Sequence, residues 1–327
     1  MFRLYITLLI FIFSSSFTFC QQIIKFGIYV KTLKVNNEGE FYADFYWWLK
    51  IPNNNLLDSV QLSQISDFEI VNAKNDLIKT IDLSSINSNL NKYYIYGTCK
   101  GTFKYKPDFT LYPLDTQKID IIIENPSLEK EKLIYVNDDS SYVGDHNGKI
   151  GIEEEFNAPD SKIVGGVINE ISNKVYYTTF GDPKLTKEST YSRLTYKIKI
   201  VRKSGFYFQK ILVPCVLLLI ISYLVFFIRA KDLEVAVGCT VTSVLACIAI
   251  QLVIADDLPA IGYITLADKL FYFFYFMMSY ALVQTVFSYN LERNEKKELS
   301  NKLEKISRWL FPIVSIIGIL LICNGYA

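Results

Sequence analysis

Glu234, Gly238, Thr242, Leu245, Ala249, Leu252 and Asp256 fall at steps of four or three along one apolar segment of membrane length. At helical spacing they form a single stripe, from an acid through small and polar positions to a band of aliphatics, and then to an acid again. Carboxylates this close to hydrocarbon are costly unless they face water or protein. Copies of the stripe around an axis would make an aqueous passage with two acidic mouths, a narrow polar section and a greasy constriction. The plainer alternative is a bundle helix whose end carboxylates sit among lipid headgroups. A one-residue error in rotation would present Val241, Val244, Ile248 and Gln251 instead. Bond-breaking chemistry has little to work with. The chain holds a single histidine, and it has no Gly-x-Ser-x-Gly, His-Glu-x-x-His, Cys-x-x-Cys pair or phosphate loop. It reads as a non-enzyme that calls for no cofactor or metal.

The elements that must hold this stripe divide the chain in two. Of 327 residues, 51% are hydrophobic, too many for a wholly soluble protein, and 20% are charged, too many for one that is mostly membrane. A net charge of +1 gives no basic field, so nucleic acid is not an expected partner. Residues 1–20 carry Arg3, an apolar run and then serines before Cys20, which reads as a secretory signal peptide cut before Gln21. A retained anchor is the alternative. Residues 21–205 alternate short β-branched and aromatic runs (24–33, 40–51, 119–124, 193–202) with Asn, Asp, Gly and Pro clusters at 52–55 and 145–148. Tyr196-Lys197-Ile198-Lys199-Ile200 shows the apolar/charged alternation of a half-buried strand. This pattern predicts an all-β, immunoglobulin-like sandwich, with room for one short helix at 56–65.

Residues 206–327 change character and predict an all-α bundle of four transmembrane helices at about 211–228, 235–255, 270–289 and 309–327, with a charged stretch, 292–308, before the last. Arg229 and Lys231 follow the first span, and Arg293, Lys296, Lys297, Lys302, Lys305 and Arg308 lie between the third and fourth. Both links are therefore expected on the cytoplasmic side and the β-domain outside, with Glu234 at the inner mouth and Asp256 and Asp257 at the outer. Of six cysteines, only Cys99 falls within 21–205, so that domain must fold without an internal disulfide. It also has no Asn-x-Ser/Thr glycosylation site with a permitted middle residue. Both absences fit a bacterial inner membrane with a periplasmic β-domain better than an animal plasma membrane with an extracellular one.

The motif Asp108-Phe109-Thr110-Leu111-Tyr112-Pro113-Leu114-Asp115-Thr116-Gln117 carries an aromatic-Pro-hydrophobic-Asp-x-Gln core. With an exported sandwich, four spans and an acid-flanked second span, it resembles the pentameric ligand-gated ion channels, the Cys-loop receptor superfamily. The bracketing cysteines of animal members are replaced by Tyr105 and Ile119, and the link between the third and fourth spans is short, as in the prokaryotic branch. The segment 40–48 resembles the second strand of the extracellular domain in bacterial homologues. Arg202 and Pro214 match the family's pre-membrane arginine and first-helix proline, and Pro259 and Tyr263 fall in its coupling loop.

The resemblance implies a homopentameric, cation-selective channel in membrane lipid, passing monovalent cations and opened by an extracellular small molecule or by protons. The alternative is a non-conducting receptor of the same architecture. It implies coupling through Glu38, Pro113, Asp115, Arg202, Pro259 and Tyr263; read from the residues alone, Asp115 could instead cap a turn and Arg202 snorkel at the interface. Under a capping loop at 180–189 it implies a ligand pocket walled by Tyr176, Tyr177, Phe180 and Tyr191, faced by Trp47 or Trp48 of a neighbouring subunit. An aromatic box there would favour cationic amines. The family's usual principal-side tryptophans are missing, since the only other tryptophan is Trp309. Tyrosines in strands are also ordinary core or surface residues, and His146, in an Asp/Asn/Gly turn, reads as a solvated turn residue rather than a sensor.

Overall fold

The structure is a computed structural model that describes residues 21–52, 59–81, 92–143, 151–153, 161–181, 188–229 and 231–324. The expected signal peptide, the turns at 53–55 and 145–148 with His146, and residues 182–187 of the capping loop lie outside the described residues.

Strand β2 (Glu40–Pro52) shows why the first half folds as it does. Phe41, Ala43, Phe45, Trp47, Leu49 and Ile51 point inward and are buried, while Tyr42, Asp44, Tyr46, Trp48 and Lys50 point outward. That period of two commits one face to a core, and each large apolar side chain placed there contributes about 1.5–3 kcal/mol. β1 (Gln22–Val35), β2, β4 (Ile78–Ile81), β5 (Lys92–Lys104) and β7 (Leu133–Asn137) make one sheet in the order β4-β5-β2-β1-β7. β3 (Glu69–Ile70), β6 (Thr116–Glu124), β8 (Ser161–Ile163), β9 (Ile168–Tyr176) and β10 (Ser189–Arg202) make the other, with order β3-β6-β10-β8 and β9 also on β10. The pairings are antiparallel except β1 with β7. A short helix, α1 (Ser59–Ser66), overlaps the stretch expected to hold one and runs one residue past it.

Between the sheets Phe26 is packed by Trp47, Phe68, Tyr135 and Tyr196, at ring-centroid distances of 4.9–6.4 Å. The two buried hydroxyls are satisfied, Tyr135 donating to the Ile65 carbonyl (2.9 Å) and Tyr196 to the Phe26 carbonyl (2.8 Å). Cys99 lies in this core as a free thiol, and burial pushes its pKa up to about 12, so it behaves as an apolar side chain.

Four helices follow that are long and apolar enough to cross a membrane. The first span runs through a π-helical turn (Phe208–Leu212) into α2 (Val213–Leu224) and a closing 3-10 turn (Val225–Phe227). Pro214 sits at the start of α2, and its missing N–H falls where the wide turn ends. α3 (Leu233–Ala255), α4 (Leu266–Arg293) and α5 (Lys297–Asn324) complete the bundle. α5 begins upstream of residue 309 because the charged stretch before it is itself helical. Its lysines and glutamates are good helix formers, and Glu304 and Arg308 pair one turn apart at 3.4 Å. Cys215, Phe226, Cys247, Phe271, Phe274, Met278 and Phe311 fill the centre of the bundle. A Cβ on Gly318 would lie 2.2 Å from the Phe273 ring, so that glycine lets α5 approach α4.

Candidate functional site

The motif at 108–117 forms a closed loop at the membrane end of the sandwich, and hydrogen bonds do the closing. The Gln117 carboxamide accepts from the Asp108 N–H (3.0 Å) and donates to the Asp108 carbonyl (2.8 Å) and to Asp115 Oδ2 (2.6 Å). Asp108 Oδ1 accepts from the N–H and hydroxyl of Thr110. These bonds hold the Asp108 carboxyl below the usual carboxylate range, chiefly the one from the Thr110 hydroxyl. Phe109 and Tyr112 are wholly buried against Tyr207, Ile254, Leu258, Ile261 and Ala267. The loop tip thus serves as the core of the domain joint.

From this loop backbone groups reach directly into the bundle. The Leu266 N–H donates to the Thr110 carbonyl (3.0 Å) and the Ala267 N–H to the Tyr112 carbonyl (3.0 Å). The first amides of α4 have no partner within their own helix, and here the loop supplies one. The Phe109 N–H donates to the Tyr263 hydroxyl at 2.9 Å. Pro113, after a cis Tyr112–Pro113 bond, and Pro259, in the α3–α4 link, are both half-buried.

Arg202, the last residue of β10, centres a charged cluster at the joint. Its Nε donates to Asp115 Oδ1 (2.8 Å) and its terminal nitrogens to Asp115 Oδ2 (3.3 Å), Asn37 Oδ1 (3.0 Å) and the Tyr207 hydroxyl (3.1 Å). The Tyr112 and Tyr207 rings lie 5.1 and 5.4 Å from the guanidinium carbon. The paired side chains are only 8% and 1% exposed, so the pair is buried and neither member snorkels. Burial opposes the charge on Arg202, but the Asp115 carboxylate and Tyr207 outweigh it and raise its pKa.

The partner in the β1–β2 turn is Asn37, a correction to the expectation of Glu38. Asn36 Oδ1 accepts from the N–H groups of Glu38 and Glu40, which folds the turn so that Asn37 faces the joint and Glu38 faces outward, exposed. Asn37 also donates to the Asp257 carbonyl (2.7 Å), just past the end of α3. One carboxamide therefore bridges β10 and the top of the second spanning helix.

On α3 itself, Glu234, Gly238, Thr242, Leu245, Ala249 and Leu252 all lie on the exposed face, as does Asp256 at its C-cap, and Ala236, Thr240, Ser243 and Cys247 are buried against the bundle. The buried hydroxyls bond back within the helix, Thr240 to the Ala236 carbonyl (2.8 Å) and Ser243 to that of Cys239 (2.9 Å). Of the alternative rotation, Val244 and Gln251 are half-buried toward the bundle, while Val241 and Ile248 flank the exposed stripe. Gly238 has no packing reason to be glycine within the subunit, since a Cβ there would meet nothing within 4 Å. Asp256 is placed against the helix dipole, which disfavours an acid at a C-terminus by about 0.3–1 kcal/mol.

The capping-loop region is arranged differently from the expected open box. Tyr176, Phe180 and Tyr191 pack edge-on against one another at 5.3–6.4 Å, whereas Tyr177 is 88% exposed. Beneath them Arg193 pairs with buried Glu124 (2.5 Å) and donates to the Tyr176 hydroxyl (2.7 Å), which donates to Glu124 in turn (3.0 Å). The Arg193 guanidinium and the Lys174 ammonium each stand 5.8 Å from the Tyr176 ring, so its cation–π capacity is already engaged.

Trp47 faces no neighbour: it is wholly buried in the sandwich core, because the strand's period of two puts it on the Phe45 and Leu49 side. Trp48 lies flat over Gly27, where a Cβ would come within 2.2 Å of its ring, and its indole N–H donates to Asp138 at 3.0 Å. Among the described residues no cluster of His, Cys, Asp and Glu is suited to a metal ion.

A β-sandwich joined through a hydrogen-bonded loop and a buried arginine to four spanning helices defines an integral, multi-pass membrane protein of receptor architecture. No protein-family model matches the chain. It is 21% identical over 211 residues to a proton-gated ion channel of Gloeobacter violaceus, a match covering 64% of this chain and 54% of that protein. It is 27% identical over 203 residues to the gamma-aminobutyric acid receptor subunit beta-4 of Gallus gallus, covering 61% of this chain and 38% of the relative. The chain thus spans about half or less of the length of these relatives. It is similar to an ion channel and to a receptor subunit, in keeping with the resemblance carried by its 108–117 motif.

Proposed function

We propose that this chain is the subunit of a homopentameric, cation-selective channel, with α3 lining the pore and the β-domain on the extracellular or periplasmic side. The observation that carries this reading is the exposed face of α3. It is acid-ended, with Thr242 set among small and aliphatic positions, its Gly238 answers to no packing within the subunit, and a helix meant for lipid gains nothing from flanking acids. Set around an axis, the Glu234 carboxylates concentrate monovalent cations at the inner mouth and repel anions. Gly238 and Thr242 leave room for a hydrated ion, and Leu245 and Leu252 form apolar rings that expel water when close together.

Opening begins at the joint. A stimulus that shifts the sandwich moves Arg202, Asp115 and Asn37 together, and through the Asn37–Asp257 contact it pulls on the outer end of α3. Pro113, Pro259 and Tyr263 seat the loop against that end. Of the two kinds of stimulus, protons are favoured over a cationic amine. The Tyr176 ring already faces Arg193 and Lys174, which leaves a cationic ligand little to gain, and one relative carries the name proton-gated channel.

Two measurements on purified protein in planar bilayers test this reading. Acidification of the β-domain side is expected to evoke currents whose reversal potential in a NaCl gradient follows sodium. Glu234→Gln is expected to move that potential toward zero. Currents absent at every pH and ligand tried, or an unchanged reversal potential in the variant, would contradict the pore assignment.

A further inference from the structure

Polar side chains are expensive inside a spanning bundle and, where present, do something there. Gln251 is such a residue, on the face of α3 turned away from the exposed stripe. Its Oε1 accepts a hydrogen bond from the Tyr275 hydroxyl of α4 at 2.5 Å, and its Nε2 points at Asp268 Oδ1 at 3.5 Å. Asp268 is itself committed to the start of α4. It closes a capping box with Thr265, accepting from the Thr265 N–H (3.0 Å) and hydroxyl (2.8 Å) while its own N–H donates to Thr265 Oγ1 (3.1 Å). The next two amides of α4 hang from the Thr110 and Tyr112 carbonyls. An unbroken series of hydrogen bonds therefore runs from the signature loop into the first turn of α4, down that helix to Tyr275, and across to Gln251. The residue beyond Gln251, Leu252, is on the exposed stripe.

We infer that Gln251 is a positioning residue for the gate, the point at which α4, moving as a rigid extension of the signature loop, takes hold of α3. This route is separate from the α3–α4 link, because none of its contacts uses residues 257–264. It rests on the channel reading above. A helix carries displacement along its length because its own hydrogen bonds make it stiff, so a shift of the loop reaches Tyr275 about 13 Å along α4 with little loss. The Gln251 contact lies within one turn of the end of α3, where a sideways pull tilts the Leu252 and Leu245 rings. Truncating either partner should leave the permeation path intact and change only how readily it opens.

The test compares the wild type with Tyr275→Phe, Gln251→Met and the double variant, each as the full chain in bilayers, after size-exclusion chromatography has shown the same assembly for all. Each single variant is expected to shift half-activation by roughly three- to tenfold, the range that one hydrogen bond represents. Single-channel conductance and reversal potential should stay as in the wild type. The double variant should shift no further than the larger single one, as a shared contact requires. A conducting wild type with half-activation unmoved by Tyr275→Phe, or single shifts that simply add, would overturn the inference while leaving the channel reading in place. A wild type that never conducts would overturn both. A variant that loses its assembly would mark the contact as structural and would likewise overturn the inference.

Discussion

The two ends of the β-sandwich each hold an arginine paired with a buried carboxylate, and they use it to opposite effect. At the outer end, Arg193, Glu124 and Tyr176 stand on β10, β6 and β9, strands already locked together by continuous pairing. Their bonds add rigidity to one body. At the membrane end, Arg202 gathers Asp115 from the signature loop, Asn37 from the β1–β2 turn and Tyr207 from the approach to the first span. Asp115 is already tied to β10, its carbonyl accepting from the Arg202 N–H (3.3 Å) beside the Val201–Thr116 pairing, but Asn37 and Tyr207 stand outside that sheet, and through them the cluster joins separate bodies. A polar cluster couples motion only where some of its members are otherwise free to separate. By that measure, and on the channel reading proposed above, the membrane end is the transmission and the outer end is scaffold.

The comparison is broken most directly by Arg202→Ala. It strands Asp115, 1% exposed, without its partner, at a cost of about 3–5 kcal/mol. A sharply lowered melting temperature and a lost response to the stimulus are expected, read by thermal denaturation and bilayer recording. Arg193→Ala should also destabilise the sandwich, because Glu124 is only 3% exposed, yet the protein that folds should open at nearly the wild-type threshold. If Arg193→Ala silenced the channel as fully as Arg202→Ala, the distinction between the two ends would be lost.

Next in size is Leu245→Ser. A hydroxyl in the constriction lowers the cost of wetting it, so half-activation should shift toward weaker stimuli by about tenfold, the equivalent of ~1.4 kcal/mol. The smallest expected effect concerns Glu69, directly across from Glu124 in the β3–β6 pairing. Partial burial, then Glu124 and Asp67, raise its pKa against the pull of Arg193. A carboxyl whose folded-state pKa is raised is an unfavourable charge at neutral pH, and stability increases as pH falls through that raised value. Glu69→Gln should therefore raise the melting temperature slightly at pH 7, within about 0.5 kcal/mol for a half-exposed, screened group. It should also flatten the rise in stability between pH 7 and pH 4.

What was legible in the sequence follows the same division. Strands and spans announce themselves because burial imposes a period on them, as the odd positions of β2 and the apolar runs of the helices show. Arg202 and Asp115 were found because one borders a span and the other lies in a recognisable loop. Asn37 was missed in favour of Glu38 because the Asn36 side chain sets which turn residue points at the joint, and charge alone does not reveal that. Trp47 was misplaced although its parity was readable, since it shares its face with Phe41, Phe45 and Ile51. The self-filled aromatic cluster at Tyr176 depends on cross-strand register between β9 and β10, for which no local pattern in the chain is a guide. Gln251 was named only as what a wrong helix rotation would expose. Its partner Tyr275 is a distant residue on another helix, and only packing brings them together.

The central claim is that the exposed face of α3 borders water within a ring of copies. Single cysteines at Thr242, Leu245 and, as a lipid-facing control, Ile316 of α5, introduced after removal of the native cysteines, test it through their rates of reaction with a charged thiol reagent. The account predicts that Thr242→Cys and Leu245→Cys react readily when the stimulus is applied and block current as they do, while Ile316→Cys stays inert. Reaction at 242 and 245 no faster than at 316, stimulus or not, would contradict it.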